Sequence, residues 1–171
     1  MATELITFAR IIHTKYKEIC EMIVTNAKEI EPLWEGIIYS PKQVAHTHID
    51  LTVEGIYQTR SKGALDFGGS EYKASDLKKL EPRIEDDPKY GWWDLTKGNY
   101  LIKYNEKFND QSHIAMVFPH QRLLQTGCIH PAFILPSEES KEAVTILSVP
   151  KKGVRIKQNA RISTAITYLI K

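Results

Sequence analysis

Residues 113–127 read His113-Ile-Ala-Met-Val-Phe-Pro-His-Gln-Arg-Leu-Leu-Gln-Thr-Gly127. An apolar, β-prone run ends at Pro119, a polar turn-like segment follows, and Gly127 closes it. Proline has no N–H to give a strand ladder, and glycine accepts the backbone of a tight turn. The same alternation of strand and turn extends in both directions. Upstream lies Tyr100-Leu-Ile-Lys-Tyr104, bounded by Lys97-Gly-Asn99 and Asn109-Asp110. Downstream, apolar runs at 143–149, 154–156 and 161–169 are set off by Pro136-Ser137, Lys151-Lys-Gly153 and Gln158-Asn159. Many short strands at this spacing predict a mostly-β barrel or sandwich.

Further upstream, Ile49, Leu51 and Val53 alternate with Asp50, Thr52 and Glu54, a half-buried strand pattern that runs on to Ile56 and Tyr57. Residues 58–91 are polar and rich in turn signals such as Ser61-Lys-Gly63, Gly68-Gly-Ser70 and Glu85-Asp-Asp-Pro88, and read as an insertion outside the core. Within it, Ser75-Asp-Leu-Lys-Lys-Leu80 predicts a helical turn or two. Residues 3–31 read as one long helix, with Leu5, Ala9, Ile12, Tyr16, Ile19, Ile23 and Ile30 on one stripe, Thr3 as N-cap and Pro32 as terminator. That helix either docks on its own domain or makes a helix–helix contact between copies. The expected organisation is a single domain, 1–171, with helix 3–31 packed outside a barrel of residues 37–171.

The composition is that of an ordinary globular protein: 42% hydrophobic and 26% charged, with a formal charge of +2 over 171 residues. No block of like charge marks an electrostatic nucleic-acid binder, whereas a few local cations suffice for a polyphosphate. No apolar run reaches the roughly 20 residues of a bilayer-crossing helix, and Met1-Ala-Thr-Glu lacks the basic and apolar segments of a secretory signal. Two cysteines, Cys20 and Cys128, are too few for a disulfide framework. These features predict a cytoplasmic protein with reduced thiols that binds neither membrane nor nucleic acid.

Taken in order along the chain, several motifs resemble those of the dUTPase and dCTP deaminase superfamily. Ile49-Asp50-Leu51 is similar to the family's apolar-Asp-Leu strand, whose aspartate organises the site around nucleotide and metal. Pro119 to Gly127 is similar to its Arg-Ser-Ser-Leu-type phosphate-binding turn, with Leu123 and Gly127 in place and His120, Gln121, Arg122 and Gln125 at the polar positions. Ile129-His130-Pro131-Ala132-Phe133 resembles the dUTPase Ile-Asp-Pro-Gly-Tyr hairpin, with His130 where the water-activating aspartate stands. Asn159-Ala-Arg161-Ile162 resembles the Gly-x-Arg-Ile turn into the last strand. The deaminase glutamate has no counterpart in Val144-Thr-Ile-Leu-Ser148.

The resemblance implies a distorted dUTPase-like β-barrel with an added N-terminal helix, assembled as a homotrimer with sites between subunits. It also implies a deoxynucleotide substrate and magnesium held through the substrate phosphates. On that pattern Asp50 and His130 would carry catalysis, while His120, Gln121, Arg122, Gln125, Phe133 and Arg161 would bind substrate. The implied reaction is hydrolysis of dUTP to dUMP and pyrophosphate. The changed polar positions leave two alternatives open: a catalytically silent relative that binds a nucleotide or a protein, and a deaminase.

Plainer readings stand beside these. Asp50 could cap a turn or accept from a backbone amide, and Arg122 and Arg161 could be exposed charges or form ion pairs between subunits. Trp92-Trp93, with Tyr90 and Tyr100, could anchor a loop to the core or offer a base a stacking surface. His46-x-His48 and Cys128-x-His130 each place two metal-type ligands on one strand face, but at no recognised zinc spacing.

Overall fold

The structure, a computed structural model, describes residues 26–85, 89–110, 112–135 and 143–169. The expected helix 3–31 lies outside these residues as far as position 25. Its last turn is present as helix α1, Ala27–Ile30, which passes through a 3-10 turn at Glu31–Leu33 with Pro32 inside it. Strand β1, Trp34–Glu35, and helix α2, Ser40–Gln43, follow. Then come the long strand β2, Ile49–Thr59, and β3, Leu77–Leu80. Strands β4, Trp92–Leu95, β5, Gly98–Tyr104, β6, Lys107–Phe108, and β7, His113–Pro119, lead to helix α3, Gln121–Gln125. The rest is β8, Phe133–Leu135, β9, Val144–Val149, β10, Val154–Lys157, and β11, Arg161–Leu169. Among the described residues no helix is long and apolar enough to cross a membrane.

The fold is mostly β, as the strand-and-turn pattern predicts. One antiparallel sheet runs β8-β7-β11-β2-β5-β9, with β3 also on β2, and curls into part of a barrel. Two short pairs, β1 with β6 and β4 with β10, flank it. The curl follows from the pairing of β2. Its first half, at Ile49–Thr52, bonds β11, and its second half bonds β5 on one side and β3 on the other. The register slips between Val53 and Gly55 against β5 and between Arg161 and Ser163 against β2, and such slips bend a sheet.

Three local expectations give way. Residues 75–80 form no helical turn: Leu77–Leu80 pair with Ile56–Thr59, and the backbone bonds of a sheet edge outweigh a weak helical propensity. The segment after Pro119 is a five-residue helix, capped where the His120 ring accepts from the Arg122 N–H and ended by Gly127 at φ +78°. Third, β2 is not half-buried. Asp50 and Thr52 are as enclosed as Ile49, Leu51 and Val53, because β2 is covered on its polar face too.

That polar cover is a second interior layer. The fully buried Glu106 accepts from the Thr52 N–H at 2.7 Å, from the Thr52 hydroxyl, and from the Gln43 side-chain amide at 2.7 Å. Trp34 and Phe108 pack ring against ring beside it, with centroids 4.9 Å apart. Gly36, at φ +80°, lets the chain pass over Asn105; a Cβ there would lie 2.2 Å from the Asn105 carbonyl oxygen. Replacing it with alanine demands a left-handed backbone and a displaced β5–β6 connection. Gly36→Ala is therefore expected to cost about 1–3 kcal/mol, read from the urea midpoint; an unchanged midpoint would refute the close approach.

Beneath the other face, three polar side chains are chained through the core. The Tyr104 hydroxyl meets the Ser163 hydroxyl, which meets His130 Nε2 at 2.8 Å, while His130 Nδ1 lies 2.8 Å from the Pro131 carbonyl. The carbonyl can only accept, so Nδ1 carries the proton, Nε2 accepts from Ser163, and Tyr104 donates to Ser163. Burial favours this neutral arrangement: it raises the Tyr104 phenol well above its usual range and pushes the His130 imidazole down, against a smaller pull from the Pro131 and Ile162 carbonyls.

Between that depressed value and the ordinary 6.5, the unfolded chain binds a proton that the folded chain does not, so His130 makes stability fall as pH drops. Glu106, raised by burial against the hydrogen bonds from Thr52 and Gln43, acts with opposite sign as pH falls through its folded value. Comparison with the non-titrating His130→Gln cancels that contribution. Acidifying from about pH 7 to pH 5.5 should lower the urea midpoint more in the wild type than in the variant. Equal changes would show that His130 is not held neutral.

Candidate functional site

Asp50 sits on the part of β2 that faces β11, with Thr164 as its register partner. At 3% exposure, its carboxylate needs compensation, and β11 supplies it. Arg161 Nη1 donates to Oδ2 at 2.9 Å and the Thr164 hydroxyl donates to Oδ1 at 3.0 Å. The same Arg161 nitrogen donates to the Lys42 carbonyl at 2.7 Å, so the guanidinium is held from two sides. Two imidazoles complete the group: His120 Nε2 lies 3.5 Å from Oδ2 and His48 Nε2 3.8 Å from Oδ1. Because His120 Nδ1 accepts the cap bond from Arg122, its proton in the neutral ring is on Nε2 and points to Asp50. Burial keeps His120 below its ordinary value, with nearby Arg161, Arg122 and His48 adding to the effect and Asp50 opposing it.

Beyond Arg161 a cleft of about 370 Å3 opens between α3 and the β10–β11 turn. Its floor is apolar, from Leu123, Ile156 and Ile162. Trp92 forms a wall, and Arg122, Arg155, Lys157 and Arg161 line it. No lining residue among those described is acidic. Arg155 lies over the Trp92 ring at 4.8 Å and is pinned by Glu85 at 2.8 Å and Asp94 at 2.8 Å. Lys157 Nζ is 5.7 Å from the same ring. Asn159, at φ 61°, closes the turn at the cleft edge and accepts from the Asn105 amide at 3.1 Å. An apolar floor, an aromatic wall and an excess of cations together suit a ligand that is flat at one end and anionic at the other.

The residues singled out from the sequence separate into groups. Asp50, His120 and Arg161 come together, and Arg122 lines the adjoining cleft. Gln121 and Gln125 are exposed on α3 and line no part of it. Phe133 packs elsewhere, its ring 6.5 Å from Tyr104 and 6.2 Å from His130. His130 is 1% exposed, with Nδ1 at the Pro131 carbonyl and Nε2 at the Ser163 hydroxyl, and it does not line the cleft. Of the residues at metal-type spacing, Cys128 and His130 are buried and His46 is exposed, and no three such side chains converge among the described residues.

Other contributors were legible in the sequence only in part, or not at all. Trp92 and Trp93 were weighed together, yet neighbours on a strand face opposite ways; Trp93 enters the core and donates to the Leu80 carbonyl at 2.8 Å, leaving Trp92 to the cleft. That alternation was the available signal. Lys157 carries no motif; Asn159 opens the Asn159-Ala-Arg161-Ile162 motif, but its place at the cleft edge appears only with the β10–β11 turn.

No protein-family profile matches the chain. Among curated proteins it is 30% identical over 140 residues to the "Probable deoxyuridine 5'-triphosphate nucleotidohydrolase" of Methanosarcina acetivorans, covering 81% of this chain and 79% of that one. Identity to the protein of the same name from Methanosarcina mazei is 28% over 141 residues, covering 81% and 80%. For Methanococcoides burtonii it is 26% over 153 residues, covering 88% and 85%. Among solved structures, the 2'-deoxycytidine 5'-triphosphate deaminase of Agrobacterium tumefaciens superposes with a TM-score of 0.57 at 11% identity, over 81% of this chain and 44% of that one. That likeness shows the fold alone. Identity of this degree over most of both chains, on the fold predicted from the strand order, makes the chain a member of the dUTPase and dCTP deaminase superfamily.

Proposed function

We propose that the chain is a dUTPase-like nucleotide hydrolase that takes a deoxynucleoside triphosphate into the cleft beside Arg161. The observation that carries this reading is the cleft itself, with cations, no lining carboxylate and an aromatic wall, next to a guanidinium locked by Asp50. In the reaction, water splits the bond between the α and β phosphates of dUTP, leaving dUMP and pyrophosphate. Arg122 and Arg161 would neutralise charge on the phosphate chain, as planar guanidinium groups do. Asp50 acts through Arg161, holding its fork in place; both of its oxygens are occupied by β11 donors.

Magnesium fits this site only as a companion of the phosphates. The Asp50 oxygens are taken, and no cluster of protein ligands converges among the described residues. When bound, it would offset phosphate charge. A homotrimer belongs to the proposal: among the described residues the cleft lining carries no carboxylate to activate water, and an adjoining subunit would bring one. A cytoplasmic setting, with Cys128 reduced, accords with a nucleotide-pool enzyme.

One observation favours a second reading, binding without turnover: the position of the water-activating carboxylate carries the buried, fully partnered His130. Deamination finds less support, since β9 presents no carboxylate over 144–149.

The test is incubation of purified protein with dUTP, dCTP and other deoxynucleotides plus magnesium, following pyrophosphate, ammonia and the melting temperature. The hydrolase reading expects a dUTP-dependent melting shift with pyrophosphate and no ammonia. Arg122→Gln, at an exposed position, should weaken dUTP binding about tenfold, equivalent to ~1.4 kcal/mol, without lowering stability. A melting shift without pyrophosphate selects the binding reading. No response to any nucleotide refutes both.

A further inference from the structure

The Asp50–Arg161 pair is held by more than its own two elements. Lys42, whose carbonyl receives Arg161, is followed by Gln43, whose side chain is almost wholly buried. Gln43 Oε1 accepts from the Ile38 and Tyr39 N–H groups, each at 2.8 Å. That fixes the amide orientation, so Nε2 must point inward, where it donates to the Asp50 carbonyl at 3.1 Å and to Glu106 Oε1 at 2.7 Å. Glu106 Oε2 takes the Thr52 N–H, two residues from Asp50. The Thr52 hydroxyl, bonded to Glu106, also accepts from the Asn105 amide at 2.9 Å, and that amide donates onward to Asn159 at the cleft edge.

One side chain therefore joins three segments that define the site: residues 38–43, the Asp50 stretch of β2, and the turn at Asn159. We propose that Glu106 is a positioning residue of the site, fixing through Gln43, Thr52 and Asn105 the backbone that holds Asp50 and Arg161 at the cleft.

The chemistry of the position supports this. Gln43 and the Thr52 amide present N–H donors to the two carboxyl oxygens. A carboxylate accepts from both, whereas a glutamine would turn its own NH2 against one of them. Stability alone does not call for an acid here, because an apolar set of similar volume avoids the cost of enclosing a carboxylate. Its placement instead aligns donors on three chain segments at once.

The test uses the full chain and does not depend on a nucleotide in its first arm. Phenylglyoxal modification of Arg161 is followed by peptide mass spectrometry in the wild type, in Glu106→Gln, and in Leu147→Ala, a fully buried core position on β9, two strands from β2 in the sheet. Temperatures are chosen so that both variants have equal unfolding free energy. Glu106→Gln should raise the Arg161 modification rate about tenfold, reporting a local opening of the ion pair, while Leu147→Ala leaves it at the wild-type rate. Equal rates in Glu106→Gln and wild type, or the same increase in both variants, overturn the proposal. If Glu106→Gln does not fold, Thr52→Val decides: a faster rate supports the network and an unchanged rate overturns it.

A second arm measures the dUTP melting shift, and rests on the cleft being the nucleotide site. A shift in the wild type that persists undiminished in Glu106→Gln overturns positioning. Absence of any shift in the wild type counts against the nucleotide reading and leaves the Arg161 rates to judge Glu106.

Discussion

A carboxylate inside a protein must be compensated, and the burial of Asp50 makes this a constraint on the whole molecule. Its oxygens are answered by Arg161 and Thr164 from β11, which fixes that strand against β2 in one register. A slip by a single residue would set Ser163 or Ala165 opposite Asp50 and turn the Thr164 hydroxyl to the other face. The same pair orients the Arg161 guanidinium at the cleft, so the interaction that aligns the sheet also shapes the ligand surface. Fold and site are not separable here.

Much of the scaffold was readable from local pattern. Strands such as 100–104 and 161–169 have apolar spacing and turn residues that agree with their tertiary surroundings, and the structure keeps them. What escaped depends on partners distant in sequence. Leu77–Leu80 become a strand because the end of β2 offers a free edge, which residues 75–80 do not announce. Thr52 looks solvent-facing by alternation, yet Glu106 lies over it. Glu106 itself reads as one more surface acid next to Asn105 and Lys107; only the closed fold reveals the donors around it.

For the site, residue type was a better guide than motif position. Asp50, His120 and Arg161 assemble because a buried acid attracts basic groups wherever the chain permits. His130 stands at a motif position that suggests chemistry, but the structure buries it, with Ser163 and a backbone carbonyl at its ring nitrogens. Trp92 shows the reverse, a residue without a family role that the strand geometry turns toward the cleft. The cations around it belong to the cleft collectively, although Arg155 is paired from outside it with Glu85 and Asp94, and Arg161 with Asp50.

The insertion of β11 between β2 and β7 has a kinetic corollary. Asp50 and Arg161 are 111 positions apart in sequence, so the central seam of the sheet cannot zip while a nascent chain is still short of β11. Until then β2 and β7 present unpaired edges, the situation in which foreign strands attach. High contact order of this kind slows closure. Emergence of β11, rather than growth of an early nucleus, sets the moment at which these two edges are covered.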